Sequence, residues 1–343
     1  MSSPSLSSSA KSSPRLSWRI RWHIWQRRYA PYMFLAPFFI LFAIFGLFPI
    51  VFTIFVSVQE WNPIQGLGAM EFVGIENYTW VLTDPDFWKA LYNTLFIGVL
   101  SGLAQHLVAI PLAFLLIMSF KRWRHPFTAA YFLPYITSTV AIAIVFNTIF
   151  GTQYGIINQT LMAFRQTPLV EFLASSSWSS WLVGWLPEEP IRWLGRARNI
   201  KPAIGILVFW KYFGWNVVIY SAGLSTIPRT YYDAAEVDGA NALQRFWHIS
   251  LPLLRPIMFF AISLTIIGSM QLFEEPFILA GASPMGGINN AGMTVAMYLY
   301  REGFGFNEMG TAAATTWILF VVIGILTGLQ FWLSGRGGLE TRG

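Results

Sequence analysis

The chain has 343 residues, 55% hydrophobic and only 11% charged, with a net charge of +6. A soluble domain usually carries about 25% charged residues, so composition excludes an ordinary soluble protein; sixteen Trp and thirty Phe fit a membrane protein, where aromatics gather at the interfaces. Zero Cys excludes disulfides, Cys-ligated zinc and thiol catalysis together.

Residues 1–15 are rich in Ser and Pro and read as a disordered tail. They do not read as a signal peptide, because the apolar run that follows is too long and no small-residue cleavage site follows closely. At 16–28, Trp18, Trp22 and Trp25 fall at helical spacing beside Ile24, with Arg19, Arg21, Arg27 and Arg28 interleaved. This predicts a basic amphipathic helix on an anionic membrane face, so 1–30 is taken as a tail plus interfacial helix.

Six apolar segments then meet the requirement of about 20 residues per crossing: Met33–Val58, Asn93–Ser119, Phe127–Phe150, Ala203–Leu224, Ile257–Gly281 and Thr311–Leu333. With the N-terminus inside, inner segments hold fourteen Lys and Arg against four acids, and outer segments seven against ten. The positive-inside rule therefore puts both termini in the cytoplasm, including the tail at 335–343. The outer segment 151–201 is an insertion whose Trp178, Trp181 and Trp185 share a helical face before Pro187. This Trp-rich stretch reads as a short helix at the outer interface, ended by Pro187, with a docking surface for an external partner as the alternative.

Between spans four and five, 228–252 carries helix signals of its own. Thr226 is a candidate cap for a helix starting near Pro228. Gly239 ends that helix, and a second, about Ala240–Ile249, presents Leu243, Phe246 and Trp247 as an apolar stripe. Pro252 and Pro256 punctuate the start of span five.

Inside the membrane, Lys211 lies about 14 Å from the outer end of span four, and Glu274 and Glu275 about 11 Å from that of span five. They can face one another, as a structural ion pair or as a hydrophilic patch on a transport path. Pro276 predicts a break in span five at Glu275. Tyr212, Trp215 and Asn216 on span four, with Thr265, Ser269 and Gln271 on span five, supply aromatic faces and hydrogen-bonding groups of the kind sugars need. His106 in span two reads as a hydrogen-bonded interior histidine. No metal-ligand spacing and no catalytic constellation is present, and no contact with nucleic acid is expected.

The stretch "DAAEVDGANALQRFWHISLPLL" resembles the permease subunits of bacterial binding-protein-dependent ABC importers. Asp233, Ala234 and Ala235, then Gly239, then Ile249, Leu251 and Pro252 keep that family's spacing, with Asp233 where the family has Glu. "FVGIENYTWVLTDPDFWKALYNTL", "FLPYITSTVAIA" and "AGLSTIP" look like its carbohydrate-uptake, maltose-type branch. The resemblance implies an all-α membrane protein with a six-span helical bundle at 31–334 and a cytoplasmic coupling helix between spans four and five. It also implies a second permease subunit, two ATP-binding subunits that hold the ATP and Mg, an external solute-binding protein and a sugar substrate, in the bacterial inner membrane. No cofactor is expected on this chain, since none of its five Lys follows Gly as a P-loop requires. A glycerol-phosphate or polyol permease, or an ion-coupled secondary transporter, are the alternatives; the site residue types differ from those of the maltose-type site.

Overall fold

The computed structural model describes residues 18–118, 124–175, 180–184, 186–281 and 285–335. The Ser-rich tail at 1–15, Trp178, Trp185 and most of the C-terminal tail lie outside the described residues, as do the side chains of Arg19, Arg21 and Ile24. Two units are distinct, Met1–Phe55 and Val56–Gly343.

In the first unit, α1 (Trp18–Phe42) runs through a π turn at Ala43–Leu47 into α2 (Phe48–Ser57). The expected separate amphipathic helix at 16–28 is instead the opening of this long helix. No glycine or capping residue interrupts it before the apolar run, and Pro31 and Pro37 are carried inside. Such prolines are tolerated in apolar helices when side chains and neighbouring turns satisfy the freed backbone groups. Trp18, Trp22, Trp25 and Tyr29 form a ladder with successive ring centroids 5.7, 5.4 and 5.5 Å apart.

The second unit is built on α4 (Pro85–Met118), α10 (Ala197–Ser225), α13 (Leu251–Met270) and α16 (Met309–Gly335). Among the described residues, five helices are long and apolar enough to cross a bilayer, and a bent pair makes a sixth if it counts as one span. That pair corrects the third predicted span. α5 (Arg124–Ile136) and α6 (Thr139–Ile149) meet at 94°. Pro134 cannot continue the hydrogen-bond ladder, and Thr137 closes back on the Pro134 carbonyl at 3.3 Å.

Span five is also broken, one turn earlier than expected. α13 ends at Met270, and α14 (Glu274–Ala280) starts after Gln271–Phe273. Pro276 therefore lies in the first turn of α14, where its missing N–H costs nothing. The carbonyl four residues before it, on Leu272, accepts instead from Thr294 Oγ1 at 2.7 Å.

Helix packing in the absence of a water-driven hydrophobic effect depends on small residues that let backbones approach. Gly98 and Gly102 of α4 face Ser269 and Thr265 of α13, and a Cβ on them would come to 2.9 and 3.0 Å. Gly214 of α10 lies so close to α5 that a Cβ would overlap the Tyr131 carbonyl oxygen.

The segments joining these helices are folded. The described part of residues 151–201 holds α7 (Ile156–Arg165), α8 (Pro168–Ser175) and α9 (Ser180–Val183); α9 is a short helix in the Trp-rich stretch before Pro187. Asn158, 1% exposed, donates to the Gly151, Thr152 and Ile191 carbonyls and accepts from Ile191 N and Trp193 Nε1. Gln59–Glu60 and Glu71–Phe72 form a two-strand antiparallel ribbon near α3 (Glu76–Thr83). Beyond α14, α15 (Val295–Tyr300) leads to Arg301, which bridges Asp86 at 2.8 Å and Glu302 at 3.0 Å.

Candidate functional site

The interhelical module starts where α10 stops. Thr226 does not cap the next helix; its hydroxyl donates to the Gly223 carbonyl at 2.8 Å and closes α10. α11 (Arg229–Val237) follows with Pro228 in the capping position, where no side chain accepts a bond. At its other end Gly239 takes φ +79°. Gly239 N donates to Glu236 O at 3.1 Å and Ala240 N to Ala235 O at 2.8 Å, the two bonds of a Schellman motif.

Asn241 then opens the next helix with a reciprocal capping box. Gln244 N donates to Asn241 Oδ1 at 2.9 Å, and Asn241 N to Gln244 Oε1 at 2.8 Å. α12 (Ala242–Arg245) passes through a π turn at Phe246–Ser250 directly into α13. Pro252 and Pro256, which mark the entry into span five, do not interrupt the helix: Pro252 occupies the first turn after the π segment and Pro256 is carried inside. Helix is therefore continuous from Ala242 to Met270.

The module is fastened to the membrane unit on one face only. Tyr232 is buried, with its hydroxyl 2.8 Å from Ser250 Oγ. Burial pushes that hydroxyl above its ordinary pKa, while the Ser250 bond pulls it back in part. Phe246 meets Phe114 of α4 edge-on at 5.1 Å, and Ile249 and Leu251 join the same apolar cluster. Pro252 is half-buried. The opposite face is open: Asp233, Ala234 and Gly239 are exposed, Ala235 partly so, and Val237 is 89% exposed. Arg245 spans the two helices to Glu236 at 3.0 Å. The seven motif residues thus divide into an outward group on α11 and an inward group at the base of α13. Of the predicted apolar stripe only Phe246 turns inward; Leu243 and Trp247 are exposed.

The intramembrane charges resolve into a specific pair. Lys211 Nζ donates to Glu275 Oε1 at 2.7 Å and also to Thr139 Oγ1. Tyr212 donates its hydroxyl to the same carboxylate oxygen at 2.7 Å. Lys211 and Glu275 side chains are 7% and 4% exposed, whereas Glu274 is exposed and takes no part. Lys211 therefore links α10 to the first turns of α6 and α14, the two half-helices that follow the breaks in spans three and five. His106 is held by the Tyr220 hydroxyl at 2.6 Å.

One turn further along α10 is a cavity of about 280 Å³. Tyr212, Trp215, Asn216, Thr265 and Ser269 line it; Lys211, Gln271, Glu274 and Glu275 do not. Its aromatic wall is Trp215 stacked on Tyr135 with centroids 4.8 Å apart, and Tyr212 edge-on to Tyr135 at 5.9 Å. Its polar wall includes Gln105 and Asn216, with Asn216 Nδ2 donating to Gln105 Oε1 at 3.0 Å. Sequence reasoning misses Gln105 and Tyr135. An amide in the middle of apolar span two is the available signal for Gln105. Tyr135 gives none, since an aromatic beside Pro134 reads as ordinary packing. Such a pocket can cover the C–H face of a small polar molecule and bond its hydroxyls.

Residues 105–336 match the family described as the binding-protein-dependent transport system inner membrane component. The chain is 32% identical to the arabinooligosaccharides transport system permease protein AraP of Bacillus subtilis, over 91% of this chain and 90% of that protein. It is 31% identical to the lactose transport system permease protein LacF of Rhizobium radiobacter, over 88% and 92%. The fold is similar to a chain of a bacterial ABC transporter that imports the acidic polysaccharide alginate, with a TM-score of 0.71, 20% identity, and coverage of 92% of this chain and 99% of that one. The multi-span helical architecture and the sequence match agree: the chain belongs to the binding-protein-dependent transport system inner membrane component family.

Proposed function

We propose that this chain is the permease subunit of an ATP-driven importer that moves a sugar or oligosaccharide from an external binding protein to the cytoplasm. Six spans, counting α5–α6 as one, carry both termini in the cytoplasm, consistent with the Lys and Arg bias of the inner segments. The sugar assignment is supported by relatives whose names specify arabino-oligosaccharides and lactose. A second permease subunit completes the pore, and two further subunits hold ATP and Mg.

The carrying observation is the continuity of one helix. Residues 242–270 run without interruption from the open module to Thr265 and Ser269 on the cavity wall. Ala242 and Ser269 are roughly 40 Å apart along that axis at 1.5 Å per residue. A displacement of the module by an ATP-binding subunit is delivered to the cavity by a rigid element and needs no chain of side-chain rearrangements. The exposed small residues Ala234 and Gly239 let a partner surface approach α11 closely. In the same reading the module at 228–252 is the coupling helix.

The test uses the absence of native Cys. Ala234→Cys in the assembled transporter is expected to cross-link to the ATP-binding subunit with a short bifunctional thiol reagent. An ATP-binding subunit that co-purifies fully yet never cross-links from position 234, while cross-linking from another cytoplasmic segment, would remove the module from the interface.

A further inference from the structure

We infer that Lys89 and Lys201, together with the rings of Tyr92 and Phe96, form a binding site for the phosphate of an anionic phospholipid where spans two and four begin. That these helix ends meet the outer leaflet rests on the topology proposed above; the site itself does not.

The outer segment 151–201 holds five basic residues, Arg165, Arg192, Arg196, Arg198 and Lys201. Among the described residues only the first of them is in an ion pair, Arg165 with Glu188 at 3.4 Å. Lys201 is half-buried and lies over α4, its Nζ 4.6 Å from the Tyr92 ring centroid and 5.3 Å from that of Phe96. These are cation–π contacts, which attract the ammonium but do not neutralise it. Lys89 is three residues before Tyr92, on the same face of α4, and its charge opposes that of Lys201. Asp86 feels the charge of Lys89 but is itself held by Arg301 at 2.8 Å and by Asn290. Two like charges brought to one aromatic face without a carboxylate of their own are stabilised by an incoming anion.

Their depth indicates which anion. Each lysine is the fifth residue of its helix, about 6 Å from the start at 1.5 Å per residue. The apolar stretches begin just beyond, at Asn93 and Ala203, so both ammonium groups are at the level of lipid headgroups. Deeper along α4, Val99 and Leu103 continue the exposed stripe started by Tyr92 and Phe96. An acyl chain can follow that stripe while its phosphate stays with the lysines. An acidic protein docking from outside would meet the lysines but not Val99 and Leu103, which are within the bilayer; a lipid meets all of them. The two helices are close here, since a Cβ on Gly205 of α10 would come to 2.9 Å from Leu100 of α4. A phosphate shared by Lys89 and Lys201 therefore fastens together the ends of two spans that carry Gln105 and Asn216 to the cavity.

The experiment uses the full-length chain purified with its partner subunits in detergent micelles. Phosphatidylglycerol with a diazirine on its acyl chain is added, photolysed, and its cross-links are mapped by mass spectrometry. Cross-links are expected within 92–103 of α4, saturating with lipid concentration and competed by unlabelled phosphatidylglycerol. Lys89→Gln combined with Lys201→Gln should raise the half-saturating concentration at least about tenfold, the effect of losing charge-assisted contacts. Lys201→Arg, which keeps the charge, should hold the native value, and a diazirine diacylglycerol without phosphate should label the stripe equally in all variants. An unchanged half-saturating concentration in the double variant at unchanged melting temperature would overturn the inference. So would displacement of the lipid by millimolar inorganic phosphate, which would mark a free-anion site, or loss of the second permease subunit on Lys201→Gln with lipid labelling intact, which would mark a subunit contact. Micelles do not distinguish leaflets, so a reversed topology would leave the result standing.

Discussion

Lys211→Met is expected to be more damaging than Lys211→Met combined with Glu275→Gln. In the native protein Lys211 Nζ lies 2.7 Å from Glu275 Oε1, and both side chains are under a tenth exposed. Removing the lysine alone leaves a buried carboxylate held by the Tyr212 hydroxyl and no cation. Breaking a buried pair in this way costs about 3–5 kcal/mol. In the double variant the charge is gone, the new amide oxygen at position 275 still accepts from Tyr212, and Met fills the volume of the lysine stem. Replacing both partners of a buried pair is close to neutral, so the double variant should recover at least about 2 kcal/mol of the loss. At about 2 °C per kcal/mol for a chain of this size, the single change should lower the melting temperature in detergent by roughly 6–10 °C. A fluorescence-detected melt of the purified transporter reads this directly. A single variant as stable as the double would show that the pair contributes no coupling, and that Lys211 does not join the two half-helices through Glu275.

Three further outcomes are expected. Gly239→Pro forces φ to about −65° where the chain takes +79° and removes the donor to Glu236 O, so membrane insertion should persist while ATP-driven uptake is lost; normal uptake would separate the module from coupling. Gly214→Ala puts a methyl group onto the Tyr131 backbone carbonyl, which cannot rotate away; overpacking of this kind costs about 1–3 kcal/mol or more, and an unchanged melt would mean that α5 and α10 are not in this close contact. Asn158→Ala strips the buried bonds that close residues 151–193 and should cost about 1–3 kcal/mol locally, seen as faster limited proteolysis near 186–196 with the rest of the chain intact.

The sequence disclosed the apolar segments because hydropathy depends on composition, but it concealed their direction. Residues 127–150 stay apolar through the bend between Ile136 and Thr139, so a window average reads one straight span where the chain turns by 94°. Pro134 followed by Thr137, Ser138 and Thr139 was the local signal. In span five Pro276 signalled a break, but a proline is most easily housed in the first turn of a new helix, so the break precedes it at Gln271–Phe273. Depth along α10 and span five put Lys211 level with Glu274 and Glu275, and Lys211 pairs with Glu275 alone. Depth does not give azimuth, and adjacent residues diverge by about 100°; that is why Glu275 turned inward and Glu274 outward. Gly239 was readable because its role is local: the left-handed turn is set within five residues. The cavity was only half readable, because Gln105 and Tyr135 reach it from α4 and α5, far away in sequence from Trp215 and Asn216.

The central claim is that ATP hydrolysed on partner subunits drives a sugar through this chain. The most direct test is accumulation of a neutral oligosaccharide by sealed vesicles containing this chain, its second permease, the ATP-binding subunits and the external binding protein. Uptake against a gradient that requires ATP and the binding protein, persists when ion gradients are collapsed, and disappears in Gly239→Pro is the predicted result. Uptake without ATP that follows an imposed ion gradient would contradict it.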